Sequence, residues 1–332
     1  MKYLSFAAGL FAATTAVAET PVLTVYTYDS FVSDWGPGPA VKAAFEEVCN
    51  CELNLVGAGD GAALLARVKL EGARSDADVV LGLDTNLTAT ATESGLFAEH
   101  GQTVTVNVPN PFGEAGTWSD PNFLPFDWGY FAFVYDNTKL ETPPASFDEL
   151  AASDLKIVIQ DPRSSTPGLG LLLWVKEQYG ADAPKIWEAL SNNIVTVTKG
   201  WSEAYGLFLE GEADMVLSYT TSPAYHIVAE EDQSKSAAAF DSHYMQIEVA
   251  GKLAATDQPE LADQFLTFMT SDAFQSIIPT TNWMYPAVTP ADGLPDAFAA
   301  PIAPDQARLI APADVPALRD EALSEWQAAL SQ

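Results

Sequence analysis

Four short runs bring aromatic rings and hydroxyls together: Tyr26-Thr27-Tyr28-Asp29-Ser30, Ser164-Ser165-Thr166-Pro167-Gly168, Thr198-Lys199-Gly200-Trp201-Ser202 and Ser218-Tyr219-Thr220-Thr221-Ser222-Pro223-Ala224-Tyr225. Each follows a β-branched or apolar stretch and leads into a helical pattern. In open α/β sheets, ligands bind outside such carboxyl ends of strands. Pro167 suits the first turn of a helix that Ser165 or Thr166 caps, and the N–H groups left free there are donors for a hydroxyl or a phosphate, with Arg163 nearby. Taken singly, each run reads as a capped helix with a buried ring. Converging on one cleft, the four make an aromatic box with hydroxyl donors, which suits a flat, cationic, nitrogen-rich ring through stacking and cation–π attraction. Catalytic signatures are poor. There is no G-x-S-x-G elbow and no H-E-x-x-H, and Gly168-Leu169-Gly170 lacks the third glycine of a dinucleotide fingerprint. With 45 Asp and Glu residues, chance carboxylate pairs are expected and single none out as catalytic.

Cys49 and Cys51 are the only cysteines, and His100, His226 and His243 are scattered, so no metal-ligand set is visible. Two exposed thiols one residue apart should oxidise in an oxidising compartment. The loop they close is too small to stabilise much, which makes the bridge a local staple at a helix end. A net charge of −30 argues against nucleic acid as a partner and against an anionic membrane surface. The same charge is able to concentrate a cationic ligand. Lys2, the apolar run Leu4 to Ala13 and Ala16-Val17-Ala18 form a secretory signal over residues 1–18, with Glu19 as the expected mature N-terminus. No cysteine follows at once to carry a lipid.

The elements that must position the four runs alternate in type. Strands are predicted at Pro21–Tyr28, Glu52–Val56, Ala77–Leu83, Phe126–Tyr135, Leu155–Gln160, Ile194–Thr198 and Met215–Tyr219. Helices are predicted at Ala40–Val48 (burying Val41, Ala44, Phe45 and Val48), Ala62–Ala73, Leu169–Gln178, Ser202–Leu209, Ser222–Glu230 and Val315–Leu330. Residues 107–120 and 291–313 are loop-rich. This alternation predicts an α/β fold of mostly parallel sheets with helices on both faces.

The segments PVLTVYTYDSF, DWGPGP, CNCEL, SDADVVLGLD, FDWGYFAFVYD, QDPRSSTPGLGLLLW, VTVTKGWSEAYGLFL, LSYTTSPAYH and NWMYP closely resemble the periplasmic thiamine-binding proteins of bacterial thiamine ABC importers. The resemblance runs from about Pro21 to Tyr285 and returns weakly at Ser324–Gln327. It implies a two-lobed type II periplasmic binding protein with the ligand cleft between lobes. One lobe is expected over 21–120 with about 245–290, the other over 125–240 with 295–332. It also implies a soluble periplasmic binder of thiamine, thiamine monophosphate or thiamine pyrophosphate, with inner-membrane permease subunits as partners and no cofactor. Ligand contacts are implied at Asp60, Gly61, Ser165, Thr166, Trp201, Tyr219, Thr220, Thr221 and Ser222, with Tyr28, Tyr225 and Trp283 as further aromatic walls. Gly57-Ala58-Gly59 ahead of Asp60 is smaller than the family pattern and predicts a loosely held carboxylate. A thiaminase-like enzyme with a cysteine nucleophile, and a binder of another cation or a metal, are the competing readings. Iron binders of this architecture use adjacent tyrosines, and Tyr219 is followed here by Thr220.

Overall fold

A computed structural model describes residues 20–109 and 116–331, so the signal segment, Glu19 and part of the 107–120 loop lie outside the described residues. Eleven strands are found among the described residues: β1 Val22–Thr27, β2 Glu52–Gly57, β3 Val79–Asp84, β4 Phe123–Asp136, β5 Ile157–Gln160, β6 Ile194–Thr198, β7 Met215–Tyr219, β8 Lys235–Ala237, β9 His243–Lys252, β10 Tyr285–Pro286 and β11 Ala307–Arg308. The main path runs β2-β1-β3-β9-β4-β7-β5-β6. Pairing is parallel on the flanks, where β1 joins β2 and β3, and β5 joins β6 and β7. At the centre it is antiparallel, because β9 opposes β3 and β4, and β4 opposes β7. The expectation of a mostly parallel sheet is therefore corrected to a mixed one.

The reason is the length of β4. Its 14 residues extend about 46 Å, enough to serve two halves in succession. Phe123–Tyr130 pair with β9, and Phe131–Tyr135 pair with β7. The crossover between halves thus falls inside one strand, whose first 13 residues are all buried, as a strand covered on both faces must be. Helix Thr166–Tyr179 lies on this strand, and Gly170 is required there: a Cβ would sit 1.9 Å from the Phe131 ring. The C-terminal helix Val315–Leu330 rests on Thr166–Tyr179 and Ala183–Leu190 of one half and also on Thr85–Glu93 of the other. Buried Lys176 ties it down through Glu321 (3.1 Å) and Glu325 (2.7 Å).

Helix Gly38–Cys49 buries Val41, Phe45 and Cys49, whereas Val48, predicted on the buried face, is 57% exposed. The face rotates because the chain must turn inward at its end, where Asn50 takes a left-handed conformation (φ 51°). Cys49 and Cys51 form a disulfide across that turn. Both are buried rather than exposed as expected, within the apolar cluster that includes Phe45 and Phe265. Ellman titration of unfolded, unreduced protein is expected to find no free thiol. Replacing both cysteines by serine is expected to lower the melting temperature by no more than about 5 °C, since so short a closed loop removes little unfolded-state entropy. A far larger drop would assign the bridge a structural role beyond the helix end.

Candidate functional site

A cavity of about 470 Å³ opens between the two halves. Its walls are strand exits and helix starts, as the sequence rule for α/β sheets requires. Tyr28 follows β1, Tyr219 ends β7, and Asp60 precedes helix Gly61–Glu71. Thr166 and Pro167 open helix Thr166–Tyr179, Trp201 opens helix Trp201–Leu209, and Ser222 opens helix Ser222–Ala229 with Tyr225 one turn in. Asn282, Trp283 and Met284 complete the ring just before β10. Trp283 holds a left-handed backbone (φ 58°), a strained state for a bulky residue, and its indole meets Tyr225 edge-on at 5.4 Å.

The aromatic wall is tethered by polar groups. Trp201 stacks on Tyr205 at 4.9 Å and donates its indole N–H to Ser218 Oγ at 2.8 Å. Tyr205 Oη lies 2.8 Å from His226 Nε2, and His226 Nδ1 lies 2.7 Å from Glu230. Glu230 in turn accepts from the Tyr225 hydroxyl at 2.9 Å. His226, Glu230 and Asp232 are close enough together to suggest a metal site. Both ring nitrogens of His226 are engaged, however, so the cluster acts as a brace behind the wall. Trp35, 55% exposed, stands at the mouth 6.2 Å from Trp201.

Asp60 joins the halves. Its carboxylate accepts from Ser165 Oγ (2.7 Å) and from the Trp201 backbone N–H (3.2 Å), both in the opposite half. Gly61 N–H donates to Thr166 Oγ1 (3.1 Å), and Ala63 N–H donates to the Ser164 carbonyl (3.2 Å). Burial pushes the Asp60 carboxyl up to about 6, although the Ser165 and Trp201 donors favour its charge. The predicted looseness of this loop is corrected. Gly59 N–H donates to Asp29 Oδ1 (2.9 Å), Asp29 N–H returns a bond to the Gly59 carbonyl (2.8 Å), and Gly59 itself occupies φ 83°, where glycine is unstrained. Small residues here permit a tight turn instead of a slack one.

A second acidic feature was not foreseen. Asp84 on β3, Glu248 on β9 and Asp127 on β4 are register partners across three strands and are all buried. Tyr28 Oη lies 3.2 Å from Glu248 Oε2 and 3.1 Å from Asn282 Oδ1, while Asn282 Nδ2 donates to Asp127 Oδ2 (2.6 Å). Burial, followed by the Asp127 charge, holds the Glu248 carboxyl well above the usual carboxylate range. Burial raises Asp127 as well, and raises Asp84 to about 7.

Of the sequence-predicted residues, Tyr28, Asp60, Thr166, Trp201, Tyr219, Ser222, Tyr225 and Trp283 line the cavity. Gly61, Ser165, Thr220 and Thr221 do not. Gly61 and Ser165 clasp the halves as above. Thr220 N–H donates to the Tyr130 carbonyl (2.9 Å), and Thr221 Oγ1 turns toward Met284 Sδ (4.0 Å). Arg163 is also turned away, donating to Asp161 (2.8 Å) with its guanidinium over Trp326. Sequence reasoning missed Trp35, Tyr205, Asn282 and Glu248. A visible signal existed for Glu248 and its partner: an acidic residue inside an apolar strand run, in YMQIEVA and in PFDWGYF.

The profile of bacterial extracellular solute-binding proteins matches residues 36–276. A thiamine-binding periplasmic protein of Escherichia coli (strain K12) is 56% identical over 323 residues, 96% of each chain. A solved periplasmic thiamin binding protein superposes with a TM-score of 0.89 at 55% identity, covering 98% of this chain and 100% of that one. Iron-bound HitA from Pseudomonas aeruginosa superposes with a TM-score of 0.74 at 20% identity, which establishes the common fold.

Because the folded chain holds protons on Asp60 and Asp84 that the unfolded chain releases near pH 4, their stabilisation is complete below that pH and is lost as pH rises through about 6 to 7. The melting temperature of ligand-free protein is therefore expected to fall between pH 5 and pH 8. In Asp60→Asn the fall should be shallower. A thermal-shift series with identical slopes for both proteins would contradict the raised Asp60 carboxyl.

Proposed function

The chain belongs to the bacterial extracellular solute-binding proteins, and we propose that it is the periplasmic component of an ABC importer that captures thiamine and hands it to the membrane permease subunits. The observation that carries this reading is the pairing of a desolvated carboxylate, Asp60, with stacked indole and phenol faces in one interlobe cavity. Thiamine has a permanently charged thiazolium and a flat aminopyrimidine. Trp201, Trp35 and Tyr225 offer faces to the rings, each cation–π contact contributing about 0.5–2 kcal/mol. Asp60 supplies the compensating charge. Several such contacts together reach sub-micromolar affinity, since each 1.4 kcal/mol is about tenfold.

Asp60 also explains how capture and release are coupled. Its bonds to Ser165 and Trp201 exist only when the halves are together, so a ligand that bridges the same surfaces favours the closed form. Opening on the permease would break those bonds and return both the carboxylate and the ligand to water. This reading is of a carrier and not a catalyst. Cys49 and Cys51, which a thiaminase-like reaction would need, are bonded to each other and lie outside the cavity lining.

We extend the reading to thiamine monophosphate and pyrophosphate through the N-terminal turn of helix Thr166–Tyr179, where backbone N–H groups and the helix dipole favour an anion. The Thr166 side chain borders the cavity there. Thr166→Val is expected to weaken both esters several-fold more than free thiamine in calorimetry, and equal losses for all three ligands would leave Thr166 with only its bond to Gly61.

Trp201→Ala is expected to abolish the thiamine-dependent quench of tryptophan emission and to cost about 2–4 kcal/mol of binding, the range of buried aromatic anchors. The ligand-free melting temperature should change little by comparison, because Trp201 is only half-buried. A variant that melts far lower yet binds thiamine normally would show that the indole is a structural prop. Native mass spectrometry of protein purified without stripping is expected to show the ligand adduct directly.

A further inference from the structure

Three carboxyls side by side on one sheet face are an expensive arrangement. Asp84, Glu248 and Asp127 occupy one level of β3, β9 and β4, and no lysine or arginine forms an ion pair with any of them among the described residues. Like charges directly across a strand pair repel; the Arg319 guanidinium eases the charge at Asp84, at one end of the row, but burying all three as neighbouring anions remains strongly unfavourable. The row persists only if protons are shared along it. Two of its members accept from asparagine amides: Asp84 from Asn86 Nδ2 (2.7 Å) and Asp127 from Asn282 Nδ2 (2.6 Å). Glu248 alone of the three reaches the cavity, at its buried end, with its Oε2 atom near Tyr28 Oη.

From this geometry we propose that Glu248 is the specificity residue for the aminopyrimidine end of the ligand, accepting a hydrogen bond from the exocyclic amine. This rests on the thiamine reading above and gives the ligand an orientation. The thiazolium lies toward Asp60 and Trp201, and the neutral pyrimidine lies toward Glu248. A carboxyl that shares its proton with Asp127 presents a neutral acceptor, matched to a neutral amine and not to a cation. The raised titration of Glu248 agrees with that sharing. Because the acceptor is fixed by Tyr28 and by the strand register, an analogue with a carbonyl in place of the amine meets oxygen against oxygen and is rejected. A site built around a hydrogen bond discriminates far more strongly than an apolar one.

Calorimetric titration with thiamine and with its 4′-oxo analogue oxythiamine tests this. The wild-type protein is expected to prefer thiamine by at least about tenfold, and Glu248→Ala to lose about 10- to 100-fold for thiamine while oxythiamine changes by less than about threefold, which is the loss of one buried hydrogen bond. Glu248→Gln keeps an acceptor oxygen and can rotate its amide to donate. It is expected to bind thiamine within about fivefold of wild type and to gain affinity for oxythiamine. Should Glu248→Ala not fold, the glutamine variant decides: no gain for oxythiamine overturns the proposal. A folded alanine variant that keeps the wild-type preference also overturns it. Absence of thiamine binding by the wild type is a different result, and one that removes the ligand assignment instead.

Discussion

Asp60 belongs to one half of the molecule and is solvated by the other. Its carboxylate has left water for a wall where Ser165 Oγ and the Trp201 N–H replace it as donors, and both donors sit at helix starts whose dipoles favour a negative charge. Asp60 itself precedes the helix Gly61–Glu71 and accepts from the Leu64 N–H through its backbone carbonyl, yet its side chain makes no bond to that first turn. The side chain that would cap one helix is spent across the cleft. Replacement of water by these donors is incomplete, as the carboxyl's rise to about 6 records. That residual deficit is what makes a cation between the halves favourable, and it leaves the closed form poised to respond to ligand.

The remaining walls follow from keeping that site rigid. An aromatic face binds a flat ring well only if it is held in place before the ring arrives. Trp201 is held by Ser218 and Tyr205, Tyr205 by His226, and Tyr225 by Glu230, so each of these rings has a polar anchor. Trp283 is held by a strained backbone. Beneath them Glu248 on β9 provides a floor, paired to the part of β4 that precedes its passage into the other half. Rigid walls and floor leave the separation of the two halves as the main freedom, which is the freedom a carrier needs.

Much of this was legible locally. The strand and helix starts around Trp201, Tyr219 and Val315 follow from β-branched runs, from prolines at first turns and from helical periodicity, all of which act over a few residues. Val48 was misjudged because the turn at Asn50 and the disulfide decide which face of the helix end is buried. Asp60 was misjudged in a more instructive way. Three small residues look loose in sequence, but Gly59 in a left-handed turn bonded to Asp29 is tight. The aromatic, hydroxyl-rich strand exits were readable for the same reason as the elements: their chemistry is contiguous.

Composition, periodicity and motif therefore sufficed for an exported α/β binder with an aromatic cavity suited to a cation, and the long likeness to thiamine binders named the cation. They did not suffice for the antiparallel centre, for the roles of Ser165, which only clasps, and Thr166, which clasps and also borders the cavity, or for Glu248. Those depend on strand register. Asp84, Asp127 and Glu248 are remote in the chain and meet only because β9 lies between β3 and the first part of β4. Hydrogen bonds and charge repulsion act over a few ångströms of space, so the partners of a buried carboxyl are chosen by the fold and not by its neighbours in sequence.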